Sequence, residues 1–408
     1  AYTFTYTTVG EIVAWVIGWD LILEMLMAGS VVSKYWGVYL NQFFELIGWN
    51  INTNIAIGSF NFDLAPVIIV AFFTALLVMG TKIGARVDGA LTILKIAIVV
   101  FIVVVGFFYI KAENFTPFIP PSEPAASTDG SGVSAVMEQP LWQWATGMAP
   151  SIYGVTGIIS GAALVFFAFL GFDVVATASE ETINPKKNVP LGIGVGLGLI
   201  IVLYTLVAIV TTGMVSYKDL AKQSDPSLAV AFKMVGADWA AKIISLGIVI
   251  GMATVVMVLL LGLTRVVFAM SRDGLLPRGL SHTGKHGTPV RLQIIVGVVM
   301  ALIAACCNVG ILSDMVNIGT LSAFTLVAIS IPIMRKKRPD LERSFKIPGN
   351  PWVPILIALA NLWLMVNLSV LTWIRFVVWL IVGFAIYFGY GYRHARLGAG
   401  ELEVAAQE

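Results

Sequence analysis

Charged residues are scarce in this chain of 408 residues. Lys, Arg, Asp and Glu together make up 12% of it, about half of their usual share in a soluble domain. Hydrophobic residues make up 58%, and the mean hydropathy is +0.90. So little polar surface cannot cover a water-exposed globule of this length. The composition therefore excludes a set of ordinary soluble domains and predicts a protein that is solvated mostly by lipid.

Residues that build other kinds of site are also few. The two cysteines, Cys306 and Cys307, are adjacent in an apolar run, which indicates neither a disulfide framework nor a metal site. His282 and His286 are four residues apart, but the glycines around them argue against the helix that would place both on one face. The net charge of +2 comes without a basic stripe, which argues against a nucleic-acid-binding protein.

Long apolar runs are abundant in the chain. A membrane-crossing helix needs ~20 mostly apolar residues, and ten stretches meet that requirement. None of them alternates polar and apolar residues with a period of two, so a barrel is not expected. The sequence therefore predicts an all-α polytopic membrane protein. Its spans cover residues 10–33, 64–81, 87–110, 154–178, 190–213, 240–270, 291–309, 313–334, 352–370 and 373–391.

Basic residues collect in alternate loops between these spans. The densest cluster is Arg335–Arg338, in the loop 335–351. Because Lys and Arg favour short cytoplasmic loops, this loop, both ends of the chain and the polar tail 394–408 are predicted to be cytoplasmic, with the spans in the plasma membrane.

Two long segments lie on the opposite side in this topology. Residues 112–152 are rich in Pro, Ser and Gly, which predicts an irregular extracellular loop. Residues 216–239 show a weak helical pattern around Ala229 and Phe232, which predicts a short helix that caps the bundle.

Four ionisable residues fall inside the predicted spans, where each costs several kcal/mol unless it has a partner or a wet cavity. Asp20 and Glu24 are four residues apart and share one helix face. Asp20 is compatible with a structural acceptor between helices, whereas the deeper Glu24 favours a cavity. Lys95 has two possible roles. Its aliphatic side chain could extend to the cytoplasmic membrane–water interface, or its amine could take up and release a proton inside the membrane, and the second role is favoured. Asp173 follows the glycine at 171 in mid-span.

The fourth span contains the strongest sign of an interrupted helix. Glycine and aspartate in mid-span predict a break near Phe169–Gly171, because freed backbone groups are tolerated at membrane depth only where they line a cavity or bind a ligand. The alternative for its other glycines, Gly157 and Gly161, is close helix packing. The same four-residue spacing recurs at Gly194/Gly198 and Gly247/Gly251.

Three segments resemble the amino acid–polyamine–organocation superfamily, and most closely its bacterial cationic-amino-acid-transporter-like permeases. They run from Gly18 to Glu24, from Phe166 through Asp173 to Pro190, and from Ser271 to Pro277. The resemblance implies two inverted five-helix repeats followed by two helices. It also implies that the chain begins just before the third family helix, so that the first two helices, including the glycine-rich break that holds the substrate carboxylate, are absent from it.

This alignment divides the chain into segments. They are 1–111 (family helices three to five, the rest of the first repeat), 112–152 (extracellular loop), 153–334 (helices six to ten, the second repeat, with the break near 168–173), 335–351 (cytoplasmic loop), 352–393 (two C-terminal helices) and 394–408 (tail).

The resemblance also implies roles for individual residues. Carbonyls of Phe167, Ala168 and Leu170 would receive the substrate ammonium, and the region of Phe169 would form an aromatic gate. Lys95 matches a lysine that replaces a sodium ion in proton-coupled relatives, with Thr254 as its hydroxyl partner. The implied substrate-binding residues are Phe167, Ala168, Phe169, Leu170, Gly171, Asp173 and Glu24.

The expected function is secondary active transport of an amino acid by alternating access, as a proton symporter. Amino acid or polyamine exchange is the alternative, and a channel or a membrane enzyme is less favoured. Metalloprotease, nucleophile-elbow and P-loop motifs do not occur in the sequence. No cofactor is expected apart from the coupling proton, and no metal. The expected partners are the amino acid substrate and the lipid bilayer, without nucleic acid, and the sequence leaves open whether a small membrane protein binds.

Overall fold

The chain folds as an all-α polytopic membrane protein. The structure, a computed structural model, describes residues 11–49, 51, 53–57, 60–80, 85–124, 135–149, 151–171, 184–223, 226–282, 288–337, 339 and 347–395. Within these residues, ten helices correspond one to one with the ten predicted spans. They are α1 (Glu11–Leu46), α2 (Leu64–Val78), α3 (Ala85–Phe107), α4 (Gly154–Val165), α5 (Pro185–Met214), α6 (Asp238–Arg272), α7 (Val290–Cys306), α8 (Val309–Lys337), α9 (Trp352–Val366) and α10 (Val370–Ile386).

These helices differ in whether they are long enough to cross a bilayer alone. Among the described residues, six apolar helices reach that length: α1, α3, α5, α6, α8 and α10 with its continuation to His394. The helices α2, α4, α7 and α9 are apolar but shorter. The prediction of a polytopic helical membrane protein is confirmed.

Helix α1 continues thirteen residues beyond the predicted end of the first span at residue 33. Lys34, Asn41 and Glu45 lower the hydropathy of this extension, but they do not break a helix. The helix stops only before Gly48, whose φ is +88°. Hydropathy therefore locates the apolar part of α1 and not its full length.

Short elements connect the long helices. Strands β1 (Asn54–Ile57) and β2 (Phe60–Asp63) form an antiparallel hairpin. In the long loop before α4, β3 (Glu123–Pro124) pairs with β4 (Ser151–Ile152). This loop also contains a 3₁₀ turn and two short helices, at Ala112–Phe115, Ala135–Glu138 and Leu141–Thr146. The described part of this loop therefore contains more regular structure than its composition predicted.

A short helix at Leu228–Met234 lies between α5 and α6. It buries Ala229 and Phe232, in a cluster that includes residues of α3, α5 and α6. The prediction of a short helix from the pattern around these two residues is confirmed.

Glycines allow the closest approach between α3 and α6. A Cβ built on Gly247 would lie 2.5 Å from Ile98 Cδ1, and one on Gly251 would lie 3.2 Å from Lys95 Cγ. Close packing is thus confirmed for this pair of glycines.

Close packing against the described residues is not observed for the glycines of α4 and α5. A Cβ on Gly161, Gly194 or Gly198 would have no described atom within 4 Å, and one on Gly157 would make only an ordinary contact at 3.9 Å. In α4 the reason is that Gly157 and Gly161 face a large cavity. Regular spacing of glycines therefore does not by itself identify a helix contact.

The central helix of the fold is α1. Its buried residues pack with those of α2, α6 and α7 in one core, which the end of α10 joins through Tyr387. Its other side meets α4, α8, α9 and α10. Every residue from Gly18 to Leu26 is buried, and this stretch includes both of its mid-span carboxyl groups.

Candidate functional site

Helix α4 ends in the segment for which the sequence predicts an interruption. Its α-helical hydrogen bonding ends at Val165, and Phe166–Phe169 forms a 3₁₀ turn. Leu170 is extended, with a ψ of 152°. Gly171 has a φ of +106°, which glycine adopts without the steric cost that a Cβ imposes.

The end of a helix leaves carbonyl groups without intrahelical partners, and two neighbouring helices supply donors to them here. Asn317 of α8 donates from Nδ2 to the Leu164 carbonyl at 3.2 Å. The Tyr204 hydroxyl of α5 donates to the Ala168 carbonyl at 3.0 Å. A backbone N–H satisfies a third group, since Leu170 N donates to the Phe167 carbonyl at 3.2 Å.

Two of the three carbonyls predicted to receive an ammonium, those of Phe167 and Ala168, therefore already accept one hydrogen bond. A carbonyl oxygen has two lone pairs, so each retains capacity for a second donor. The sequence analysis missed Tyr204 and Asn317. Both are polar residues inside apolar spans. A polar side chain at membrane depth costs free energy unless it forms a hydrogen bond with a neighbouring helix, so this pattern could have predicted such a bond.

Aromatic and aliphatic side chains surround the 3₁₀ turn. The Phe169 ring meets the Tyr204 ring edge to face, with their centroids 5.3 Å apart. Phe167 and Leu170 pack against a cluster of Ala28, Leu259 and Val316. The turn is thus held against α1, α6 and α8 by apolar contacts, while the role of Phe169 as a gate stays a prediction.

The structure brings Glu24 to the level of this turn. Glu24 is buried, with 3% of its surface exposed. Leu23 before it belongs to a packed cluster that includes Phe166. Ala28, one turn further along α1, belongs to the cluster that includes Phe167. The carboxyl group of Glu24 therefore lies on the part of α1 that packs beside the interrupted segment.

Asp20 lies one turn away from Glu24 and is completely buried. The Ser322 hydroxyl of α8 faces its carboxyl group, but neither carboxyl oxygen makes a hydrogen bond of standard geometry with a described residue. Its backbone carbonyl approaches Gly319 of α8. Asp20 is thus placed between α1 and α8, and its role as an acceptor between helices stays a prediction. Asp173 lies outside the described residues.

Lys95 and Thr254 both lie next to Gly251 of α6. The stem of Lys95 lies against the backbone of α6 at this glycine, and the Thr254 hydroxyl donates to the Gly251 carbonyl at 2.9 Å. Thr254 is buried and Lys95 is half-buried. Val255, the neighbour of Thr254, belongs to the same cluster as Phe167. Helix α6 therefore contacts Lys95 at Gly251 and, through Val255, belongs to the apolar cluster that includes Phe167.

Comparison with known protein families identifies the family that contains this arrangement of residues. The model of a family described as "Amino acid permease" matches residues 1–389. The chain belongs to this family.

Several curated relatives of this permease are transporters by name. It is 40% identical over 406 residues to the "Branched-chain amino acid permease BcaP" of Bacillus subtilis, and the match covers 97% of this chain and 80% of that protein. It is 39% identical to the "Methylthioribose transporter" of the same organism, with the same two coverages. It is 27% identical to the human "Cationic amino acid transporter 4", over 98% of this chain and 78% of that protein.

The family match confirms the resemblance that the three sequence segments indicated. The permease is a multi-pass membrane protein, and the names of its family and relatives describe transporters and not enzymes. The end of α4 with its 3₁₀ turn, the buried Glu24, and Gly251 with its neighbours Lys95 and Thr254 thus belong to a member of a transporter family.

Proposed function

We propose that this permease is a secondary active amino acid transporter that works by alternating access as a proton symporter. The observation that carries the proposal is the end of α4 at Val165, followed by a 3₁₀ turn, inside an apolar span that the sequence predicts to continue to residue 178. Irregular backbone at membrane depth is tolerated where it is buried in protein or lines a solute cavity, and transporters place substrate sites at such breaks. The proposed location is the plasma membrane, with both ends of this chain in the cytoplasm.

The proposed substrate site surrounds the 3₁₀ turn. The carbonyls of Phe167, Ala168 and Leu170 would accept the substrate ammonium, and Phe169 and Gly171 would shape the site. Apolar neighbours such as Leu259 and Val316 favour an aliphatic substrate side chain. This agrees with the name of the branched-chain relative, so leucine, isoleucine and valine are the first substrates to test.

Cationic substrates are the alternative. Glu24 lies beside the turn, and together with Asp173 it would favour a basic side chain if both were ionised toward the substrate. Exchange of amino acids or polyamines is the alternative to symport.

Lys95 is the proposed carrier of the coupling proton, with Thr254 as its hydroxyl partner. An ammonium at membrane depth is costly unless it is compensated, so its charge is expected to change when α3 and α6 expose it to one side or the other. No cofactor or metal takes part in this proposal. The driving force is the proton gradient alone.

The test is uptake by the full-length protein in proteoliposomes with an imposed pH gradient. Branched-chain amino acids, arginine, lysine, putrescine and methylthioribose are compared. We expect concentrative uptake of an amino acid, abolished when the gradient is collapsed. Counterflow of a labelled amino acid against an unlabelled one separates a carrier from a channel. Absence of uptake and counterflow for every compound would contradict the proposal.

Lys95→Ala tests whether this lysine couples amino acid uptake to the proton gradient. We expect it to abolish the dependence of uptake on the pH gradient while counterflow continues, because exchange requires no net proton movement. Lys187→Ala, which removes an exposed lysine at the start of α5, is the matched control and should behave as the unmodified protein does. Unchanged pH dependence in Lys95→Ala would reject the role of this lysine.

A further inference from the structure

A groove of ~480 Å³ runs between α2 and α7 on the surface of the fold. We call it the α2–α7 groove, and every residue that lines it belongs to the described part of the chain. Both helices pack with α1 in one core cluster, whereas α4 belongs to another cluster on the other side of α1. The groove therefore lies away from the proposed substrate site, beside which the absent first family helix is expected.

The wall of the α2–α7 groove is almost entirely apolar. Thr74 is the single polar side chain among its lining residues, and the Thr74 hydroxyl donates to the Val70 carbonyl of its own helix at 2.7 Å. Small residues such as Ala71, Ala75 and Gly297 leave the space between the helices open. The wall offers apolar contacts and one hydroxyl whose proton is already engaged, so it suits a hydrocarbon chain and not a polar solute.

Large side chains beside the groove separate it from any neighbouring helix. Ile68 and Phe72 of α2 are 53% and 55% exposed, and Ile295 of α7 is 48% exposed, but none of the three lines the groove. Helices that associate in membranes approach each other through small residues, and these projecting side chains keep a second helix away from the small residues inside. A flexible chain can follow the space between them and supply the dispersion contacts that an empty groove lacks.

The length of the groove matches one leaflet of a bilayer. Val67 and Val78 line it on α2, and eleven residues of helix between them correspond to about 16 Å. The hydrocarbon core is about 30 Å thick, so one leaflet contributes about 15 Å. Phe62 of β2 lines the end of the groove before α2 begins. The groove therefore has the length of one acyl chain.

A basic residue continues the α7 wall at the opposite end. Ile294, Val298 and Leu302 line the groove at intervals of four residues, and Arg291 lies three residues before Ile294 on the same exposed face of the helix. Because α2 and α7 run in opposite directions in the predicted topology, Arg291 at the start of α7 lies beside the end of α2. A basic side chain at the membrane surface attracts an anionic lipid headgroup.

We propose that the α2–α7 groove binds one acyl chain of an anionic phospholipid, whose phosphate contacts the Arg291 guanidinium. The apolar wall, the length of one leaflet and the charge at the end of the α7 stripe each match one part of this molecule. The site does not depend on the proposed transport function, since it lies on the other side of α1 from α4.

Lipid binding to the full-length protein in detergent tests the headgroup contact. Native mass spectrometry measures the binding constant of the first lipid bound, with dioleoylphosphatidylglycerol as the probe and dioleoylphosphatidylcholine, which has the same chains and a zwitterionic headgroup, as the control lipid. We expect tighter binding of the anionic lipid, and Arg291→Gln to weaken it about fivefold. Arg393→Gln removes an exposed arginine at the end of α10 and should leave the binding unchanged.

A second variant tests the groove itself. Ala75→Leu places a larger side chain inside the groove, so we expect it to weaken the binding of both lipids at least fivefold. Ala360→Leu makes the same change at an exposed position of α9 and is the matched control. If Ala75→Leu does not fold, Ala71→Leu fills the same groove from one turn earlier on α2 and replaces it in the test.

Three results would overturn the proposal. The first is equal binding of the two lipids by the unmodified protein, and the second is unchanged binding of the anionic lipid in Arg291→Gln or in the variant that fills the groove. The third is a dimer, or a co-purified membrane protein, that dissociates when Ala75 is replaced by leucine, because the groove would then hold a helix. None of these results bears on uptake, so the transport proposal is decided separately by the proteoliposome assay.

Discussion

In a soluble protein the more apolar helix surface is buried, but helices α1 and α5 show the opposite relation between hydropathy and burial. The most apolar 18-residue stretch of α1 has a mean hydropathy of 1.7, and 78% of it is buried inside the protein. The corresponding stretch of α5 is more apolar, at 2.7, but only 6% of it is buried. The buried helix contains Asp20, Glu24, Ser30 and Ser33.

This difference follows from the solvent. Lipid chains are as apolar as a leucine side chain, so burying apolar surface between helices gains little in a membrane. Polar groups gain more from the protein interior, because only there do they find partners. The burial of α1 therefore follows polarity and close packing, whereas the more apolar α5 presents its side chains to lipid or to another apolar surface.

The largest effect is expected from a charge on α5. Val202 lies near the middle of this helix and is 56% exposed. We expect Val202→Asp to disfavour insertion by about 3 kcal/mol, because a short carboxylate side chain cannot reach the interface. The yield of membrane-inserted protein measures this effect, and Val202→Ala is the control. A normal yield of Val202→Asp would show that this position faces water or a polar partner, and the comparison with α1 would fail.

A pair of glycine substitutions sharpens the same comparison. A Cβ on Gly37 of α1 would lie 2.7 Å from the Ala65 Cβ, and this methyl group cannot rotate away. We expect Gly37→Ala to destabilise the protein by about 1–3 kcal/mol. Gly194→Ala in α5 meets no described atom and should stabilise the helix by up to about 1 kcal/mol. Thermal unfolding measures both changes, and equal effects would contradict the assigned packing.

The smallest effect concerns the polar residue of α5 that bonds to α4. Tyr204→Phe removes the hydrogen bond to the Ala168 carbonyl, so we expect a loss of about 1 kcal/mol in the free energy of unfolding. Thr205→Val is the matched control, because the exposed Thr205 hydroxyl donates to the Ile201 carbonyl within its own helix and to no other helix among the described residues. If the two variants unfold at the same temperature, Tyr204 does not hold the end of α4.

The sequence allowed prediction of those features that depend on local composition. Apolar runs located all ten helices, and the glycine at 171 pointed to the end of α4. The partners of that end were not predictable, since Tyr204 and Asn317 reach it from helices 36 and 153 residues away. The surroundings of Gly157 and Gly161 in α4 were not predictable for the same reason: their spacing is local, but the cavity beside them is formed by distant segments.

The length of α1 has a mechanical consequence. At 1.5 Å per residue, Leu46 lies roughly 33 Å along the helix axis from Glu24. Glu45, next to Leu46, forms an ion pair with Lys233 of the short helix before α6, at 2.8 Å. A rigid tilt of about 10° centred on Glu24 would therefore displace this end by roughly 6 Å. The length of α1 would thus convert a small reorientation near Glu24 into a displacement large enough to separate Glu45 from Lys233.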